Sequence, residues 1–104
     1  MEISTITNYI KNLVNTPSPT GFTKLTEKYL MDEFTNLGYK PYQNNKGNVI
    51  VPINEKEGND GLLLSAHVDT LGLMVRSIKA KGALRVTTLG GFPLNFVEFE
   101  NVKI

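Results

Sequence analysis

The chain has 104 residues, with 11 Lys plus Arg against 10 Asp plus Glu and a formal net charge of +1, so it carries no electrostatic footprint for nucleic acid or an anionic membrane. It has no cysteine and a single histidine, which excludes disulfide frameworks and thiolate zinc sites and leaves nitrogen and oxygen ligands for any transition metal. The length suits one modest core, and a polar start after Met1 with no apolar run near ~20 residues points to a cytoplasmic protein that spans no membrane.

Ile3, Ile6, Ile10, Leu13 and Val14 recur at helical spacing, with Lys11 and Asn12 on the polar side, which predicts an amphipathic helix over 3–15. The stretch 15–21, with Pro17 and Pro19, reads as a stiff helix stop, because each proline fixes its own φ and biases its predecessor toward extended backbone. Phe22, Leu25, Tyr29, Leu30, Phe34 and Leu37 mark a second helix, with Thr20 as its expected cap and Gly38 as a left-handed end before Pro41. Lys46, Gly47 and Asn48 signal a turn ahead of a strand through Val49, Ile50, Val51 and Ile53, which Pro52 ends or places at an edge.

Residues 54–60 are polar enough for an exposed connection. Leu62, Leu63 and Leu64 then show the unbroken apolarity of a strand buried on both faces, and helices beside such a strand favour an α/β architecture. After Thr70, the residues Leu71, Leu73, Val75 and then Leu84, Val86, Thr88 alternate about Lys79 to Gly82, which predicts a hairpin. Residues 96–104 read as a further strand that stops mid-structure, since a hairpin and a buried strand both ask for more partners than this length provides. Met74 and Phe96 read as core, and Glu98 and Glu100 as solvent-exposed.

The chemistry concentrates in Ala66-His67-Val68-Asp69-Thr70. In extended backbone, residues i and i+2 point the same way, so Asp69 can reach the His67 ring and fix its tautomer, the usual support of a metal-bound imidazole. A catalytic zinc takes about three protein ligands, and this stretch supplies one good one. Taken alone, His67 is more often a hydrogen-bonded residue capping a strand than a ligand.

Residues 66–75, followed by Leu89-Gly90-Gly91-Phe92-Pro93, resemble the N-terminal portion of the M42 metallo-aminopeptidases, the group of glutamyl and deblocking aminopeptidases. The loop 16–21 and the segment Gly47-Asn48-Val49 fall where that family has similar elements, and Thr70 and Leu71 depart from the Glu and Ile of many relatives. The resemblance implies a mixed-sheet α/β catalytic domain, represented by residues 1–69, and the start of an inserted, β-rich PDZ-like domain at 70–104. It implies two divalent ions, zinc or cobalt, with His67 as a metal ligand and Asp69 as the catalytic-site acid that orients it. The other ligands and the general base lie downstream in the family, so the 104-residue chain alone is expected to be inactive. Peptide substrates and homo-oligomerisation through the inserted domain follow from the same resemblance. An M20-type metallopeptidase or deacylase shares the His-x-Asp pattern but continues into a proline where this chain has Leu71 to Val75. A non-enzymatic module that adds strands to a partner is the other class left open.

Overall fold

The computed structural model describes residues 2–54 and 61–104, so the expected connection over 54–60 lies, apart from Asn54, outside the described residues. Helix α1 spans Ile3–Asn15, as its apolar spacing predicts. Its first turn closes on the Glu2 carbonyl, which accepts from the Thr5 and Ile6 N–H groups at 3.1 and 3.3 Å. Its end is made by Thr16, whose N–H donates to the Leu13 carbonyl at 3.2 Å and whose hydroxyl donates to the Asn12 carbonyl at 2.8 Å. Pro17 follows and cannot continue the ladder.

Helix α2 spans Lys24–Asn36 and begins at Thr23, not at Thr20. The Thr23 carbonyl accepts the Glu27 N–H at 2.9 Å, so the helical ladder starts there, and Thr20 stands three residues too early to serve. The far end is a Schellman closure. Gly38 adopts φ 88°, the Tyr39 N–H donates to the Phe34 carbonyl at 3.0 Å, and the Gly38 N–H donates to the Thr35 carbonyl at 2.9 Å. The Phe34 and Tyr39 rings meet edge to face at 6.3 Å, the apolar contact that accompanies this motif.

Strand β1, Tyr42–Gln43, pairs antiparallel with β2, Val49–Ile50. The strand expected through Ile53 is thus two residues long, and Pro52 stands beyond its end. Asn44 shapes the intervening turn, its side-chain oxygen accepting the Lys46 and Asn48 N–H groups at 2.9 and 3.1 Å. Glu27 ties α2 to this small sheet: only 8% exposed, its carboxylate accepts from the Thr23 hydroxyl at 2.6 Å, Lys24 Nζ at 3.0 Å and Gln43 Nε2 at 3.1 Å. Those donors, the Thr23 hydroxyl foremost, hold the Glu27 carboxyl below its ordinary value. A lowered folded value means the stabilisation is present above about pH 4.3, the unfolded glutamate value, and is lost as pH falls through the folded one. Glu27→Gln is therefore expected to lower Tm at pH 7, with the gap to wild type closing in acid. A gap unchanged at pH 3 in thermal melts would show that the charge is not what matters.

The predicted hairpin forms. Strand β3, Gly72–Ile78, pairs antiparallel with β4, Leu84–Leu89, in a register that sets Gly72 opposite Leu89 and Ile78 opposite Leu84. One extra residue between Val75 and Ser77 makes a bulge, which bends and twists the strand. Two other expectations fail. Leu62, Leu63 and Leu64 form no strand among the described residues and are 88, 85 and 84% exposed. Backbone that reads as a doubly buried strand needs neighbours on both edges and faces, and no described residue pairs with it. Residues 96–104 likewise form no strand: Leu94–Val97 is a short 3-10 turn and the rest is irregular.

No apolar side chain is buried among the described residues, and Met74 and Phe96, expected in a core, are exposed. The buried positions among the described residues are the polar Ser18, Thr26 and Glu27. The radius of gyration is 17.9 Å, against about 13 Å for a compact domain near 100 residues. Ile3, Ile6, Ile10 and Val14 of α1, the leucine run, and Val75, Ile78, Leu84 and Val86 of the hairpin are exposed.

Candidate metal centre

His67 lies on the irregular segment 61–69, three residues before Thr70, which clips this segment to the proline loop. Its side chain is 86% exposed. The ring nitrogen Nδ1 stands 3.1 Å from Asp69 Oδ1 and 3.2 Å from the Asp69 carbonyl oxygen. Both of these oxygens only accept, so the neutral ring carries its proton on Nδ1 and presents the Nε2 lone pair outward. That is the tautomer an Nε2-bound metal requires. The i, i+2 contact read from the sequence is thus made, although the backbone is not a paired strand.

The second oxygen of Asp69 is also engaged. Thr20 donates its hydroxyl to Asp69 Oδ2 at 2.9 Å, across 49 positions of sequence. Thr20, foremost, and His67 hold the Asp69 carboxyl below the usual aspartate range. Asp69 is therefore an anion at neutral pH, as a carboxylate that supports an imidazolyl ligand must be.

The loop that delivers Thr20 is built by its prolines and by one turn. Ser18 is fully buried, and its carbonyl accepts the Thr70 N–H at 2.7 Å; Pro19 and Thr70 form an isolated parallel bridge. The Phe22 N–H donates to the Pro19 carbonyl at 2.8 Å with Gly21 at φ 88°, the pattern of a type II turn with Thr20 at its corner. Gly72 lets this loop close, since a Cβ there would lie 2.6 Å from Pro19 Cβ. The sequence assigns this stretch to a helix stop and Thr20 to the cap of the next helix, and so misses the hydroxyl's bond to Asp69. The available signal was two prolines bracketing a Ser and followed by Thr-Gly, more rigidity than a helix end needs.

Among the described residues, no cluster of three or more His, Cys, Asp or Glu is placed to hold a metal ion. The donor chemistry of His67 nevertheless fits a divalent ion as one ligand of a shared set: a neutral imidazole, oriented by an anion, with an accessible Nε2. Met74 borders a cleft of about 370 Å³ with Leu73, Leu89, Phe22 and the proline-loop residues Pro19 and Thr20. Glu98 and Glu100 are exposed, as expected. No described helix is long and apolar enough to cross a membrane.

Beyond the His-x-Asp pair and the clamped proline loop, comparison with known proteins gives the class, an aminopeptidase type of protein, and then the family. The M42 glutamyl aminopeptidase family model matches residues 47–104. The chain is 39% identical over 95 residues to a Bacillus subtilis (strain 168) protein with the provisional name aminopeptidase YhfE, covering 91% of this chain and 28% of that one. It is 36% identical over 84 residues to the glutamyl aminopeptidase of Lactococcus lactis subsp. cremoris (strain MG1363), covering 80% of this chain and 24% of that one. The chain belongs to the M42 glutamyl aminopeptidase family, which decides between the two metallopeptidase resemblances in favour of the first. It spans about a quarter of the length of the curated relatives it matches.

Proposed function

We propose that this chain is the N-terminal part of a metal-dependent aminopeptidase that removes N-terminal residues from peptides. His67 serves as a ligand of one of two divalent ions, zinc or cobalt, and Asp69 orients it. The observation that carries the reading is the pair of acceptors at 3.1 and 3.2 Å on His67 Nδ1, which leaves Nε2 for a metal. A bound divalent pair supplies Lewis-acid polarisation of the scissile carbonyl. The chain's own residues do something narrower: His67 offers one nitrogen, Asp69 keeps the proton on the other, and the remaining donors and the general base come from outside these 104 residues.

On this reading residues 1–69 belong to the α/β catalytic domain and 70–104 open a PDZ-like insertion in the cytoplasmic enzyme. The exposed apolar residues Val75, Ile78, Leu84 and Val86 of the hairpin support packing of that insertion against further structure and assembly into a homo-oligomer. The test is hydrolysis of an aminoacyl anilide by the intact enzyme before and after exhaustive chelation. Activity is expected to vanish on chelation and return with zinc or cobalt. Hydrolysis indifferent to chelation overturns the metal dependence, and failure on every substrate with a free N-terminus overturns the aminopeptidase assignment. The 104-residue segment alone is expected to stay inactive in the same assay with either metal added.

A further inference from the structure

We infer that Thr20 is a positioning residue for the imidazole: its hydroxyl, set at a turn corner, fixes the Asp69 carboxylate so that the other carboxylate oxygen keeps the proton on His67 Nδ1. The inference rests on the reading of His67 as a metal ligand and adds to it a residue from a different part of the chain.

The final torsion of an aspartate is broad and nearly two-fold, so nothing intrinsic to Asp69 sets the plane of its carboxylate. In an exposed position the group would sample many orientations, and each departure weakens its hold on the ring. The hydrogen bond from Thr20 to Oδ2 at 2.9 Å removes that freedom while Oδ1 stays 3.1 Å from the ring nitrogen. A hydroxyl suits the task because the carboxylate only accepts, and the β-branch of threonine restricts where that hydroxyl points. Thr20 is itself held from three sides. The turn Pro19–Phe22 sets its backbone, the Ser18 carbonyl binds Thr70 next to Asp69, and Pro19 lies against Gly72. The loop therefore registers on the residues directly after the acid, so the distance from Thr20 to Asp69 is built into the backbone.

The test compares wild type, Thr20→Val and Thr20→Ser in the intact protein. In the metal-free state, two-dimensional proton–nitrogen spectra of histidine-labelled protein read the tautomer of His67, assigned by its loss in His67→Gln. Wild type and Thr20→Ser are expected to show the proton on Nδ1, and Thr20→Val a mixture with Nε2–H. Cobalt affinity is expected to fall about tenfold in Thr20→Val, in line with supporting partners of metal ligands, and to be restored in Thr20→Ser. An unchanged tautomer in Thr20→Val, or equal loss in Thr20→Ser, overturns the role. If valine alters the Gly21 and Phe22 amide shifts, Thr20→Ala against Thr20→Ser makes the same comparison. Wild type that binds no cobalt removes the metal reading, while the tautomer comparison still decides the part played by Thr20.

Discussion

Replacing His67 with alanine is expected to abolish binding at one of the two proposed metal positions and to lower kcat/KM by about a thousandfold. A bound divalent ion contributes several kcal/mol of charge stabilisation, and ~4 kcal/mol corresponds to roughly that factor. The exposed ring makes no other described hydrogen bond than those to Asp69, so its removal leaves the surrounding fold intact and the loss reports chemistry. Asp69→Asn separates orientation from ligation. The amide keeps the size but can offer an N–H to Nδ1, which favours the opposite tautomer, and a loss of about 10- to 100-fold in metal affinity or activity follows from precedent for such partners. Calorimetric titration with zinc or cobalt and steady-state kinetics on the same preparations check both. His67→Ala with full stoichiometry and full activity would remove the imidazole from the metal site altogether. Asp69→Asn with wild-type affinity would reduce the 3.1 Å contact to a bystander.

The two helices were readable because each carries its own local code. Ile3 to Val14 repeats at helical spacing, and Gly38 with the Phe34–Tyr39 pair closes α2 by contacts within six residues. The hairpin was readable for the same reason, since the alternation of Leu73 and Val75 with Leu84 and Val86 is local to one turn. The failures share the opposite property. Whether Leu62 to Leu64 becomes a strand depends on neighbours that no short-range pattern supplies, and β1 is two residues long, too short for any period to register. Thr20 is the instructive case. A threonine shortly before an apolar helical repeat is a reasonable cap, but its hydroxyl is spent on a carboxylate 49 residues away. At the site, His67 and Asp69 were legible because they are neighbours in the chain, and their support was not because it arrives through the fold.

Gly72→Ala is expected to disturb the site without touching either the proposed metal ligand His67 or its partner Asp69. A methyl group at position 72 would lie 2.6 Å from Pro19 Cβ, well inside van der Waals contact. Neither side yields easily: the Pro19 carbon belongs to a closed ring, and Thr70, two residues before Gly72, is bound to the Ser18 carbonyl at 2.7 Å. The loop must therefore lift from β3, and Thr20 moves with it away from Asp69. Overpacking of this kind costs about 1–3 kcal/mol, read as a fall in Tm. Activity should fall together with the tautomer signature of His67, as in Thr20→Val, although position 72 is five residues from the ring. A double-mutant cycle identifies the cause. Pro19→Gly removes the carbon that alanine meets and loosens the loop on its own account, so Gly72→Ala should add little further loss in that background. Full additivity of the two substitutions would mean that Pro19 and Gly72 do not meet, and the clamp on the proline loop would have to be found elsewhere.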